Sequence, residues 1–197
     1  MNTVLVSAFW PQKSQSLIFK VGLVLVGSLL LAVSSKIQVP FWPIPMTMQT
    51  FVVLVIGMAF GPSLGLATVG LYLVEGAFGL PVFAGTPEKG LGLAYMAGPT
   101  GGYLAGFVVA TVLVGKLAAR RWDRHPVTAA AAMLVGMAAI YALGAAWLAT
   151  FIGVEKALQF GVAPFLLADA LKIILATALM PLAWKAVRGF RGGDHAC

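Results

Sequence analysis

Residues Ala163 to Trp184 read APFLLADALKIILATALMPLAW, and the reading of this stretch decides the fold. A helix of about 20 apolar residues crosses a bilayer. This run is that long, yet it holds an acid and a base near its middle, Asp169 and Lys172. A charged side chain at the centre of a membrane helix costs about 2.5–3.5 kcal/mol on insertion scales unless it is paired or put to use. The i,i+3 spacing places both on one helical face, where they meet each other or a shared ligand. Two readings stand: a self-contained ion pair that helps helices pack, or the charged part of a binding site. Ionisable residues at this depth are functional by default.

The rest of the chain fits a membrane solvent. Of 197 residues, 60% are hydrophobic and 10% charged, against roughly 25% charged in a soluble domain. Most of the surface must face lipid, and one helical bundle is the natural organisation at this length. The 23 glycines suit membrane helices that approach closely through small residues. Cys197 is the lone cysteine, so neither an internal disulfide nor a zinc spacing exists. His125 and His195 stand apart in polar segments. No metal site and no cofactor are expected, and no nucleophile–base pair marks an enzyme.

Six spans are predicted, at about 17–35, 46–60, 63–78, 98–117, 127–152 and 163–184. The expected fold is therefore all-α and integral to the membrane: six transmembrane helices in one bundle, residues 1–197 forming a single domain. Residues 1–16 read as an amphiphilic leader at the membrane surface. Ala32-Val33-Ser34 resembles a signal-peptide cleavage site, but the apolar core is long for that and further spans follow at once. Pro40, Pro43 and Pro45 hold the connection after the first span extended. Gly61-Pro62 breaks the second span from the third. The long loop Gly79–Ala97 holds Phe83, Tyr95 and Met96, as a lid or binding loop would. Glu75 is the other acid within an apolar run, and an ion pair with Lys36 is its favoured role.

Basic residues orient the bundle. Nine of them, Lys13, Lys20, Lys116, Arg120, Arg121, Arg124, Lys185, Arg188 and Arg191, fall on one side of a six-span chain. Three, Lys36, Lys89 and Lys156, fall on the other. This bias places both termini in the cytoplasm. The net charge of +7 thus follows the membrane, and no nucleic-acid partner is expected. The proline-rich connection and the Gly79–Ala97 loop are then external, and Asp169 and Lys172 lie beneath them in an outward-facing pocket.

Four strings carry a family resemblance. Pro43-Ile44-Pro45-Met46-Thr47-Met48-Gln49-Thr50 resembles the P-x-P-x-T-x-Q-T signature of BioY, the biotin-specific substrate-capture (S) component of energy-coupling-factor (ECF) transporters. Leu80-Pro81-Val82-Phe83-Ala84-Gly85 resembles its outer loop, Gly98-Pro99-Thr100-Gly101-Gly102-Tyr103-Leu104 its most distinctive string, and Asp169-x-x-Lys172 its last-span motif. The four occur in the right order over residues 43–172 and are specific in combination. Thr86-Pro87-Glu88-Lys89-Gly90 departs from the family's glycine-rich loop in being more charged.

The resemblance implies a multi-pass protein of the bacterial cell (inner) membrane that binds biotin from outside. Its implied partners are a transmembrane coupling protein with ATP-hydrolysing subunits, besides the lipid bilayer. The chain has no Walker-type stretch of its own; Gly115-Lys116 lacks the upstream Gly and the following Ser or Thr. The implied substrate site comprises Asp169, Lys172, Gln49, Thr47, Phe83, Gly85, Tyr95, Gly98 and Tyr103. Asp169 can accept from the ureido N–H groups, and Lys172 can donate to the ureido oxygen or to the ligand carboxylate. Gln49 and Thr47 either add polar contacts or solvate a helix end. Phe83, Tyr95 and Tyr103 either wall the apolar chain of the ligand or belong to an interfacial aromatic belt. The small face Gly22, Gly27, Ser28 and Ala32 of the first span meets either the coupling protein or the bundle itself. A proton-coupled or self-sufficient carrier is the alternative function, with a small membrane enzyme a more distant one.

Overall fold

The computed structural model describes residues 4–10, 13–39 and 42–192; Pro40, His195 and Cys197 lie outside them, as do the side chains of Lys13, Arg188 and Arg191. The order is α1 (Leu5–Phe9), α2 (Leu17–Lys36), strands β1 (Gln38–Val39) and β2 (Met46–Thr47), α3 (Gln49–Ala77), α4 (Gly92–Met96), α5 (Gly101–Ala119), α6 (Pro126–Ile152), α7 (Val154–Gly161) and α8 (Leu166–Gly192). Short 3-10 turns sit before α2, α6 and α8. The strands pair antiparallel, Gln38 opposite Thr47 and Val39 opposite Met46. The proline-rich connection is thus the loop of a small hairpin. Five stretches are long and apolar enough to cross a membrane: α2, α3, α5, α6 and Val154–Val187, which contains α7 and most of α8.

The break expected at Gly61-Pro62 lies inside α3. Gly61 takes φ +78° and ψ −178°, a state open to glycine and costly for other residues, and Pro62 follows where a helix tolerates a missing N–H. The chain doubles back there. Nε2 of Gln49 lies 2.6 Å from the Tyr72 hydroxyl, whereas a straight helix would hold residues so far apart in sequence about 35 Å from each other. The two halves of α3 therefore run antiparallel, as the second and third expected spans require. Other boundaries differ from expectation. Residues 46 and 47 are strand, so the helix begins at Gln49. The glycine string at 98–102 delays α5 to Gly101, and α8 continues past Trp184. The short amphipathic α7, unforeseen in the sequence, fills the connection before α8.

Close packing centres on α5, which lies between α3 and α6; α2 covers α3, and α8 closes against α6 and α3. Small residues set these distances. A Cβ on Gly106 would fall 2.8 Å from the Ile140 Cα, so glycine lets α5 touch the α6 backbone. The fully buried core includes Leu54, Met58, Val69, Tyr72, Val114, Met133, Ile140 and Leu148.

The first span's small face looks inward in part. A Cβ on Gly27 would meet the Thr68 side chain at 2.5 Å, and the Ser28 hydroxyl donates to Glu75 Oε2; Gly22 faces open space. Glu75 is therefore held by Ser28, not by Lys36. Asp169 and Lys172 form an ion pair, and the Lys36 ammonium instead reaches the loop at 79–97. Ile18, Leu25, Val26, Leu29 and Val33 are exposed along the opposite face of α2. At the far end from the loop, Asp123 accepts from Trp184 Nε1 at 2.6 Å, and burial pushes its carboxyl above the usual range.

Candidate functional site

The site is a cavity of about 50 Å³ lined by the hairpin before α3, both halves of α3, α5, α6, α8 and the loop between α3 and α5. Seven of the nine expected residues line it: Thr47, Gln49, Phe83, Tyr95, Tyr103, Asp169 and Lys172. Gly85 and Gly98 do not, and they shape the surroundings instead. Gly85 takes φ +71° and its carbonyl accepts from the Lys89 amide at 2.9 Å, turning the loop. The Gly98 carbonyl accepts from Trp147 Nε1 at 2.9 Å.

The charged pair is the polar centre. Lys172 Nζ lies 2.6 Å from Asp169 Oδ1, 2.6 Å from the Thr47 carbonyl and 3.1 Å from Thr50 Oγ1. An ammonium has three N–H donors, so the protein satisfies them all. Asp169 Oδ1 also accepts from Thr50 Oγ1 at 3.0 Å, and Oδ2 accepts from the Tyr141 hydroxyl. Both ions are buried, and these charge-assisted bonds offset the desolvation that burial imposes.

Two of these partners were missed in the sequence. Thr50 ends the Pro43–Thr50 string, one helical position beyond Gln49, and its place in that string was the available signal. Tyr141 lies within the apolar run 127–152. A phenol there needs a hydrogen-bond partner, but nothing in the sequence says which.

Gln49 serves the walls. Its Nε2 donates to the Tyr72 hydroxyl at 2.6 Å and to the Leu31 carbonyl at 3.4 Å, pinning α2 to the α3 hairpin from a buried position. The aromatic residues form the apolar side. Phe83 stacks on Tyr95 at 4.9 Å and meets Tyr72 edge-on at 5.4 Å. Tyr103 is buried too, its hydroxyl donating to the Gly161 carbonyl at 2.8 Å. Tyr95 and Tyr103 are thus wall residues, not an interfacial belt.

The loop at 79–97 is tied down by its carbonyls. Val82 accepts from Ser35 Oγ at 2.7 Å, Ala84 from the Tyr95 hydroxyl at 2.8 Å, and Phe83 and Thr86 from Lys36 Nζ at 2.9 and 3.0 Å. Burial holds the Tyr95 phenol above its ordinary range, so it acts as a neutral donor. Among the described residues no cluster of His, Cys, Asp or Glu is arranged to hold a metal. An apolar chamber with one buried charged pair under an anchored loop suits a small ligand that is largely apolar and carries a compact polar head.

Residues 11–189 match the model of the BioY family. The chain is 38% identical over 160 residues to the probable biotin transporter BioY of Pyrococcus horikoshii, covering 81% of this chain and 93% of that protein. It is 36% identical over 157 residues to the biotin transporter BioY of Thermotoga maritima, covering 79% and 89%. The fold is similar to the crystal structure of the S-component for biotin from an ECF-type ABC transporter, with TM-score 0.70, 23% identity, and 85% and 92% of the two chains covered. A family match that spans most of the chain, with relatives above 30% identity over most of their own length, leads to one conclusion: the chain belongs to the BioY family.

Proposed function

We propose that this protein captures biotin and mediates its uptake as the substrate-specific component of an ECF-type importer, and that it is not an enzyme. The observation that carries the reading is the buried Asp169–Lys172 pair, 2.6 Å apart, in the wall of an apolar cavity lined by Phe83, Tyr95 and Tyr103. Biotin matches that division. Its ureido ring offers N–H donors and a strong carbonyl acceptor, its thioether ring and side chain are apolar, and a carboxylate ends the molecule. A ureido N–H suits Asp169. A ligand oxygen reaches the Lys172 ammonium by displacing the Thr47 carbonyl or the Thr50 hydroxyl. The names of the relatives support the same substrate, and that of the similar structure supports an ECF module with ATP-hydrolysing subunits as partner.

The proposed topology is a single domain that crosses the bilayer six times, with the α3 hairpin counted twice and both termini cytoplasmic. The basic residues that follow α5 and those late in α8 support this orientation. The cavity of about 50 Å³ holds only a few waters at roughly 10–15 Å³ each. Binding of biotin therefore requires the lining to move apart, with the hairpin before α3 and the loop at 79–97 as the segments that yield. The test is to purify the full chain and measure biotin binding directly, then to compare biotin uptake in cells with this chain alone and with the coupling module added. A purified, monodisperse chain with no affinity for biotin would sink the reading. Full uptake without the module would assign the chain a self-sufficient transport role instead.

A further inference from the structure

Asp169 is gripped from three helices. Oδ1 accepts from Lys172 on α8 at 2.6 Å and from Thr50 on α3 at 3.0 Å. Oδ2 accepts from the hydroxyl of Tyr141 on α6. A carboxylate has about two acceptor positions on each oxygen. Oδ1 is therefore filled and Oδ2 retains one. The three N–H groups of Lys172 are matched by Thr47, Thr50 and Asp169. The one position the charged pair keeps open without displacing a protein group is thus the second lone pair of Oδ2, next to the Tyr141 hydroxyl.

The surroundings make the direction of that lone pair matter. Tyr141 and Asp169 line the substrate cavity and also a separate apolar groove of about 240 Å³ at the α6–α8 seam, with Leu134, Met137, Ala138 and Leu166. Their hydrogen bond lies on the partition between the two. A carboxylate swung toward the groove would face hydrocarbon side chains and lose Thr50 and Lys172. The Tyr141 hydroxyl holds Oδ2 from the one helix that the other two donors do not reach.

We infer that Tyr141 is a positioning and specificity residue of the substrate site: by occupying one lone pair of Asp169 Oδ2 it sets the angle at which a single ureido N–H docks on the other. This rests on the biotin reading above. In a cyclic urea the two N–H groups diverge, so one docks on Asp169 and the second points elsewhere. The site then distinguishes the two ring nitrogens, and Tyr141 carries part of that distinction.

The experiment uses the purified full chain and three ligands: biotin and its two derivatives methylated on one or the other ureido nitrogen. The parent binds biotin and separates the two methyl isomers. Tyr141→Phe loses roughly tenfold in biotin affinity, the scale of one hydrogen bond to a buried charge, and the ratio between the isomers shrinks at least as clearly. In an Asp169→Ala background, Tyr141→Phe has no further effect, because no side-chain oxygen remains for the hydroxyl to act through. The inference is overturned if a folded Tyr141→Phe keeps the parental affinity and isomer ratio. It is equally overturned if the variant weakens all three ligands alike and its effect adds fully to that of Asp169→Ala, which is the behaviour of a packing residue. A parent chain that binds no biotin removes the functional reading itself and this inference with it. A parent that binds biotin while Tyr141→Phe changes nothing removes the inference alone.

Discussion

The Lys172 ammonium sits 2.6 Å from the backbone carbonyl of Thr47, joining the second turn of α8 to the strand that leads into α3. The same ammonium neutralises Asp169 at 2.6 Å. One side chain thus holds together the proline-rich hairpin, the start of α3 and the buried acid.

Removal of either charge is expected to impair binding unequally. Asp169→Asn should weaken biotin binding by about 1–3 kcal/mol, the range for impairing a hydrogen bond to a buried group. Lys172→Ala should cost at least as much, because it strands Asp169 without its countercharge. Calorimetry on variants shown to insert and remain monodisperse checks both. Normal affinity in both folded variants would make the pair purely structural.

Lys36 anchors the loop at 79–97 through the Phe83 and Thr86 carbonyls, at 2.9 and 3.0 Å. Lys36→Met should raise hydrogen exchange across residues 79–97, since it removes a charged donor worth about 1.5–3 kcal/mol to each such bond. Biotin should slow exchange of the same segment in the parent. Equal exchange with and without biotin would reduce the loop to a mere connector.

Orientation is testable with single cysteines placed on a Cys197→Ser background. A reagent that does not cross membranes should label position 88 in intact cells and leave position 122 unlabelled. The reverse pattern would invert the bundle and close the proposed route from outside.

Gly76 leaves room for the ring of Phe83, since a Cβ there would lie 2.0 Å from Phe83 Cζ. Gly76→Ala should destabilise the protein by about 1–3 kcal/mol through overpacking and push Phe83 off its stack with Tyr95. Thermal unfolding and biotin affinity should fall together. An unchanged melting temperature would show that the loop shifts without cost.

Much of the architecture was legible because hydrocarbon imposes simple demands on sequence. Apolar length marked the runs that cross, since lipid offers no partner to an exposed backbone. Proline and glycine marked the non-helical connection before α3 and the reversal at Gly61, since few residues tolerate those backbone states. Asp169 and Lys172 stood out because a charge in such a run demands a reason. Of the nine residues that the family resemblance implied, seven line the cavity, Asp169 and Lys172 among them. The helices, however, are apolar nearly all round, so no hydrophobic stripe indicates which face turns inward. Only the packing of helices distant in sequence brings Tyr141 and Thr50 onto Asp169. The same packing gives Lys36 to the loop at 79–97 and Glu75 to Ser28, whereas charge alone paired the two with each other. Local sequence set where the chain crosses and turns, and tertiary packing set which polar atoms meet, because a buried donor bonds whatever acceptor the rotation of its neighbours brings within reach.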